Sequence, residues 1–246
     1  MFTPAERSAL RDQLVAEARS DARITGLALT GSAAAGAEDE WSDIDLYLGL
    51  AGDPQDVLDE WTTRMYAEHS CVAHLDLRVR RTTYRVFFLA STLQVDVAFA
   101  PAAEFGALGP AFQVVFGDAV EQPAGAPPDA AGLIGMGWLY ALHARSSIMR
   151  GRGWQAEHMI SGLRDQVLML ACLRHQVPAG DGRGYHLLPP ALLRPLEATL
   201  LRAIDPAELD RAFGAAIQVF LDEVALVDPA LASRLSAPLR ELSLAT

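Results

Sequence analysis

Two aspartates separated by one residue follow a Gly-Ser dipeptide at a short distance in this chain. The apolar run Leu27-Ala28-Leu29-Thr30 ends in Gly31-Ser32, which is typical of a buried strand that breaks into a tight turn with a helix starting behind it. The free N–H groups of such a helix start favour a phosphate, and a serine hydroxyl adds a donor. The dipeptide therefore has the chemistry of a phosphate-binding turn.

Asp43 and Asp45 stand in the strand-like segment Ser42-Asp43-Ile44-Asp45-Leu46. Side chains two apart in a strand point to the same face, so both carboxylates share one side of a sheet. Mg²⁺ prefers oxygen ligands and usually enters a site with substrate phosphates. The pattern predicts that Asp43 and Asp45 hold Mg²⁺, and that Gly31, Ser32 and Ser42 contact a nucleotide.

The stretch from Gly31 to Leu46 fits the signature GSxxxGxxxxxSDIDL without a gap. It resembles the nucleotidyltransferase superfamily typified by DNA polymerase β, above all the small aminoglycoside and lincosamide members of the kanamycin nucleotidyltransferase type. That resemblance implies a two-ion Mg²⁺ site and ATP or another NTP as co-substrate. Ala33, Ala34 and Ala35 stand where many relatives have an arginine, and the chain has no lysine. Arginines from elsewhere must therefore meet the phosphates.

The family also needs a third carboxylate on a neighbouring strand. Residues 93–99 alternate as a strand does, with Leu93, Val95, Val97 and Phe99 on one face and Asp96 on the other. Asp96 is therefore our predicted third metal ligand and catalytic carboxylate. The alternative is Asp76, in another strand-like segment. Its simpler interpretation is a surface carboxylate opposite Arg78 or Arg80.

The resemblance further implies that a helical domain supplies a carboxylate base, which takes a proton from the acceptor hydroxyl. Helical spacing places Glu157, Ser161 and Arg164 on one helix face. Glu157 is the predicted base and Arg164 a predicted triphosphate contact. The alternative phosphate contacts are Arg150 and Arg152, which flank a glycine. An ordinary surface role remains open for each of these residues, and His158 is a weaker candidate for the base.

The hydrophobic periods divide the chain into an α/β (α+β) half and an all-helical half. The predicted fold is a mixed-sheet nucleotidyltransferase domain at 1–118, a Pro/Gly-rich linker at 119–131, and an all-α helical bundle domain at 132–246. The predicted strands are 25–30, 44–50, 73–80, 84–90 and 93–99. The predicted helices are 3–22, one starting near 32, 54–68, 131–150, 154–176, 190–204, 206–226 and 228–242.

Composition bounds the partners. The formal net charge is −11, whereas an enzyme that binds nucleic acid needs a basic track along the phosphate backbone. Arg78, Arg80, Arg81 and Arg85 cluster on one hairpin without interleaved aromatic residues, and we interpret them as a solvated face. The sequence thus favours a small, cationic hydroxyl acceptor over nucleic acid.

Location and redox state follow from equally simple features. Neither a run of eighteen apolar residues nor a signal-peptide pattern occurs, so we expect a cytoplasmic protein without a membrane partner. Cys71 and Cys172 are expected to be buried free thiols. The oligomeric state stays open.

Three functions remain compatible with the sequence. The leading hypothesis is an adenylyltransferase that modifies a hydroxyl of an aminoglycoside, a lincosamide or a similar metabolite and releases pyrophosphate. The second is a toxin–antitoxin nucleotidyltransferase that modifies a protein or tRNA. The third is a non-catalytic nucleotide-binding regulator, which the presence of all three acids disfavours.

Overall fold

The computed structural model describes residues 1–123 and 129–243. They form two compact units, Met1–Gly125 and Ala126–Thr246. The first contains the β-sheet and the second is helical, which confirms the predicted fold class. The predicted linker 119–131 includes residues outside the described ranges, and the division at 118 and 132 stays a prediction.

The first unit is built on one mixed sheet, with strands in the order β3-β4-β5-β2-β1-β6. Only β2 and β5 pair in parallel among the described strands, and all other neighbours are antiparallel. Strand β6 was not predicted from the sequence; it pairs with β1. The strands are β1 Ile24–Thr30, β2 Ile44–Leu50, β3 Cys71–Val79, β4 Thr82–Leu89, β5 Gln94–Pro101 and β6 Phe112–Phe116.

Three helices of this unit are α1 Pro4–Ser20, α2 Gly31–Ala34 and α3 Pro54–Glu68. A capping box starts α1: Thr3 Oγ1 accepts from Glu6 N at 3.2 Å, and Glu6 Oε2 accepts from Thr3 N at 2.7 Å. A core of buried side chains joins α1 and α3 to one face of the sheet. It includes Leu14, Trp61, Met65, Phe87, Leu46, Leu48, Val95, Val97 and Phe99.

Helices α1 and α3 do not cover the opposite face of the sheet. That face carries a smaller cluster formed by Ala28, Tyr47, Ala98, Ala100 and Phe105. Because side chains alternate along a strand, Asp45 shares this face with Tyr47, and Asp96 shares it with Ala98. The predicted facing of residues 93–99 is thereby confirmed. We call this side the open face.

The second unit contains five described α-helices around one apolar core. The predicted helix 190–204 was too long. It ends at Glu197, after which the N–H groups of Ala198 and Thr199 donate to Pro195 O and Leu196 O in tighter turns. The next helix is capped by the Asp205 side chain. The helices are α4 Ala130–Met149, α5 Gly153–His175, α6 Pro190–Glu197, α7 Pro206–Val227 and α8 Pro229–Ser243.

Two further expectations concern chemistry outside the site. Cys71 and Cys172 are both free and buried, as predicted. Among the helices that the structure describes, none is both long and apolar enough to cross a bilayer.

Candidate active site

Three carboxylates converge on the open face of the sheet. Ligand oxygens of Asp43, Asp45 and Asp96 all lie within 4.8 Å of one another. Asp45 and Asp96 are direct partners in the parallel pairing of β2 with β5, and Asp43 lies immediately before β2. The sheet register thus brings together residues from distant parts of the sequence.

One carboxylate of the cluster is buried and lies beside another negative charge. Burial, with a smaller contribution from the negative charge of Asp43, raises the pKa of Asp96 to about 6. Gln94 opposes this shift, since its Nε2 donates to the Asp96 oxygens at 3.0 and 3.1 Å. A divalent cation would remove the repulsion, and three carboxylates form the hard oxygen donor set that suits Mg²⁺.

The Gly31 turn fits tightly against the same cluster. Gly31 has a φ of +59°, and a Cβ added there would lie 2.0 Å from Asp45 Oδ2. Only glycine fits both the backbone and the space. The backbone of Gly31 is therefore packed directly against the Asp45 carboxylate.

The next residue carries a polar group that the protein itself does not satisfy. Ser32 Oγ is buried and has no hydrogen-bond partner among the described residues. Such a group costs about 1–3 kcal/mol unless something binds it, so its presence beside Gly31 fits a ligand oxygen. This observation agrees with the phosphate-binding turn predicted from the sequence.

The loop before β2 is fixed by a buried arginine of α1. Arg7 Nη1 donates to the carbonyl oxygens of Asp39 at 2.5 Å and Ser42 at 3.1 Å, and Arg7 Nε lies 3.3 Å from Glu38. The Ser42 hydroxyl accepts from Asp39 N and donates to Asp39 Oδ1. Ser42 is thus occupied in shaping the loop that presents Asp43, and its predicted contact with a nucleotide has no support in this geometry.

Asp76 lies elsewhere. It forms a two-pronged ion pair with Arg85, with Asp76 Oδ1 to Arg85 Nε at 2.6 Å and Asp76 Oδ2 to Arg85 Nη2 at 2.7 Å. This pair holds the pKa of Asp76 below its usual value. The predicted partners Arg78 and Arg80 were wrong, because Arg85 is directly opposite Asp76 in the β3–β4 pairing. Arg85 is also buried, so the solvated-face interpretation fails for this one arginine of the hairpin.

The helical candidates form a hydrogen-bonded chain on α5. Ser161 Oγ donates to Glu157 Oε1 at 2.6 Å, and Arg164 Nη2 donates to Ser161 Oγ at 2.8 Å. Arg164 Nη1 also donates to the Thr199 carbonyl at 3.3 Å. The structure therefore groups the predicted base and the predicted phosphate contact on one helix face. Their joint action with the carboxylates of the first unit stays a prediction.

The two alternative arginines stand at the junction of α4 and α5. Arg150 Nη1 donates to Ser146 Oγ at 2.6 Å, and Arg152 is exposed just before the first turn of α5. Gly151 between them has a φ of +66°. Nothing in this geometry selects either arginine over Arg164 as a phosphate contact.

Two supporting contacts were not predicted from the sequence. The alternation along residues 93–99 places Gln94 on the same face as Asp96, but the hydrogen bonds of Gln94 to Asp96 were not predicted. Arg7 gave no comparable signal, since an arginine in an amphipathic helix is ordinarily solvated and its contacts with residues 38–42 depend on tertiary packing.

Comparison with known proteins gave matches among solved structures alone. No family model matches the chain, and no curated protein matches it. An aminoglycoside 6-adenyltransferase from Bacillus subtilis is similar over all of both chains, with 11% identity and a TM-score of 0.44. The polymerase core of TRAMP, an RNA surveillance complex, is similar over all of this chain and 85% of its own, with 14% identity and a TM-score of 0.34.

Proposed function

We propose that this protein is a Mg²⁺-dependent nucleotidyltransferase that moves AMP from ATP to a hydroxyl of a small molecule. The observation that carries the proposal is the meeting of Asp43, Asp45 and Asp96 beside the Gly31-Ser32 turn. Oxygen ligands for a metal and an unsatisfied hydroxyl for a phosphate thus lie on one side of the sheet. Both are required to bring a metal–triphosphate complex against an acceptor.

Each residue of the cluster has a distinct task in that reaction. Mg²⁺, when bound, would supply charge stabilisation to the phosphates. The three carboxylates would hold the cation, and the Ser32 hydroxyl and the turn beside it would hold the β- and γ-phosphates. The acceptor oxygen forms a bond to the α-phosphorus while the bond to pyrophosphate breaks. Positioning and charge stabilisation supply most of the rate gain, as in phosphoryl transfer generally.

The acceptor hydroxyl must lose its proton as it attacks. We assign that proton to Glu157 or to Asp96. Glu157 is already oriented by Ser161, and Arg164 beside it offers a guanidinium to a phosphate. Asp96 is close to the reacting centre but is needed as a metal ligand. A Glu157→Gln variant with unchanged nucleotide affinity and a lowered kcat supports the first assignment.

We assign the acceptor to the class of cationic small molecules, with aminoglycosides and lincosamides as the first to test. A chain with net charge −11 attracts cations and repels nucleic acid. The preference for ATP over other nucleotides belongs to the same proposal and is tested with it.

The test is transfer of radiolabel from each of the four α-³²P-labelled NTPs to a panel of aminoglycosides, lincosamides and neutral sugars. We expect label in one acceptor class, dependent on Mg²⁺, and none with the Asp45→Asn variant. Asp12→Asn is the matched control, because Asp12 is exposed and the charge change is equal. Transfer that survives Asp45→Asn contradicts the metal site. Label in protein or tRNA instead favours the toxin–antitoxin class.

A further inference from the structure

Three arginines surround a cavity on the opposite side of the sheet from the carboxylates. Arg78 is the penultimate residue of β3. Arg80 and Arg81 form the two-residue turn between β3 and β4. The cavity has a volume of about 230 Å³. Besides the arginines, its lining includes Asp53 at the start of α3, and Thr83 and Phe99 of the sheet.

The strand register shows that this cavity is separate from the active site. Phe99 belongs to the core that joins α3 to the sheet, and Thr83 is its partner on β4. Asp96 lies on the open face, opposite Phe99 in orientation. A ligand in the cavity therefore contacts the helix side of the sheet and cannot reach the carboxylate cluster.

The guanidinium groups of the three arginines lack close acidic partners. Among the described residues, none of Arg78, Arg80 and Arg81 has an ion pair or a hydrogen bond, although the charge of Arg78 helps to lower the pKa of Asp76, which is itself paired with Arg85. Asp53 is the acidic residue of the lining, and its side chain already accepts from Gln55 N at 3.0 Å. Asp76, on the same sheet face as Arg78, is neutralised by its ion pair with Arg85, so within the described part of the chain three positive charges meet one unpaired carboxylate and form a local site for an anion.

The turn that groups these arginines is held in an unfavourable backbone conformation. Arg80 has a φ of +56°, in the left-handed region where glycine is the residue without a steric penalty. Such positions persist where the surrounding structure enforces them and are concentrated at functional sites. At this turn the left-handed position is occupied by an arginine, and that arginine lines the cavity.

We propose that this cavity binds a small ligand through its phosphate groups, at a second site distinct from the active site. Guanidinium groups pair with phosphate in a two-pronged geometry, and three of them match more than one phosphate. Thr83, which shares the helix side of the sheet with Phe99, adds a hydroxyl at the cavity wall. A volume of about 230 Å³ is below the ~300 Å³ at which drug-sized pockets begin, which favours a compact anion such as a diphosphate.

The experiment is calorimetric titration of the full chain with pyrophosphate in buffer with EDTA, which keeps metal-bridged binding at the carboxylates out of the signal. We expect saturable binding with one site per chain, weakened at least tenfold in Arg80→Gln/Arg81→Gln. The matched control is Arg183→Gln/Arg234→Gln, which removes two exposed arginines of the other unit and should change the affinity less than twofold. An equal loss of pyrophosphate affinity in both double variants would show that only the net charge of the chain matters, and would overturn the proposal.

Further arms identify the source of the phosphate and its specificity. ADP that competes with pyrophosphate indicates a nucleotide phosphate chain, and ADP that does not compete indicates a free diphosphate. Citrate of comparable charge should bind at least tenfold more weakly. Equal binding of citrate would overturn the assignment to phosphate. So would a short single-stranded oligonucleotide that displaces pyrophosphate through the same arginines at lower concentration.

A second variant separates binding from folding. Arg80→Gly relieves the left-handed backbone, so the melting temperature should rise while the affinity for pyrophosphate falls. Unchanged affinity in this stable variant would remove Arg80 from the site and overturn the proposal. Because the titration contains neither Mg²⁺ nor an acceptor, its outcome is independent of whether the chain transfers nucleotides.

Discussion

Gly31 occupies a position where a side chain would collide with Asp45, whereas Gly36, four residues after Ser32, has nearly the same φ but open space around it. The φ values are +59° and +63°, but an added Cβ at Gly36 meets nothing within 4 Å. The pair therefore separates the cost of backbone strain from the cost of disturbing a carboxylate.

We expect Gly31→Ala to weaken divalent-cation binding at least tenfold, because the new methyl group displaces Asp45 Oδ2. Gly36→Ala should leave that affinity within twofold. Both variants should lose about 1–2 kcal/mol of unfolding free energy from left-handed strain. The measurements are cation titration and urea unfolding. Equal cation affinities in the two variants would show that Asp45 does not need the space beside Gly31.

Asp96 yields a prediction about pH. Its pKa is raised to about 6 in the folded protein, above the ordinary value of 3.8, so the folded state binds this proton more tightly than the unfolded state does. Asp96 therefore lowers stability progressively as pH rises from about 4 through about 6. Asp96→Asn should raise the melting temperature of the metal-free protein at pH 7.5, with a smaller gain at pH 4.5. A gain that is independent of pH would contradict the raised pKa of Asp96.

At this scale, much of the site could be predicted from the sequence. Asp43, Asp45 and the Gly31-Ser32 turn follow from local spacing, and the facing of Asp96 follows from alternation along β5. The proximity of Asp96 to Asp45 could not be predicted from local sequence, because it depends on the pairing of β2 with β5. The ion pair of Asp76 with Arg85 was missed for the same reason.

At the scale of elements, α1 holds the loop that leads into β2. Arg7 lies buried and donates to two loop carbonyls, whereas Arg11, one turn further on, pairs with Glu38 in a more exposed position. The more deeply buried Arg7 fixes the position of the loop, whereas the Arg11–Glu38 pair lies nearer the surface. Position 7 thus links a helix on one face of the sheet to the carboxylates on the other.

We expect Arg7→Met to lower the unfolding free energy by about 1–3 kcal/mol, because the carbonyls of Asp39 and Ser42 lose a buried donor. The affinity for divalent cations should fall as Asp43 loses its fixed position. Arg11→Met should cost about 0–1 kcal/mol and leave cation binding unchanged. Urea unfolding and cation titration test both variants. Unchanged cation affinity in Arg7→Met would mean that the loop holds its shape without α1.

Most elements were predictable, and the errors have physical causes. The Asp-Pro pairs at 53–54 and 205–206 located helix starts, since the aspartate caps and proline suits the first turn. Strand β6 was missed although Phe112–Phe116 is rich in aromatic and β-branched residues, because its five residues do not alternate between polar and apolar side chains. The order of strands in the sheet was equally beyond local information.

At the scale of the whole molecule, the excess of acidic residues is the dominant electrostatic property. It favours the approach of cationic molecules over a distance set by the ionic strength, about 10 Å at 0.1 M salt. We expect kcat/KM for a cationic acceptor to fall several-fold between about 0.05 and about 0.5 M salt, since screening removes the attraction. A neutral acceptor should show little change. Equal salt dependence for both would assign no steering role to the charge.

Titration with Mn²⁺, followed by electron paramagnetic resonance, measures whether Asp43, Asp45 and Asp96 bind a divalent cation. We predict saturable Mn²⁺ binding that Mg²⁺ displaces, an affinity at least tenfold weaker in Asp45→Asn, and no change in the exposed control Asp12→Asn. Circular dichroism would verify that each variant keeps its fold. Mn²⁺ binding that is equally strong in Asp45→Asn and in the unmodified chain would contradict the metal site.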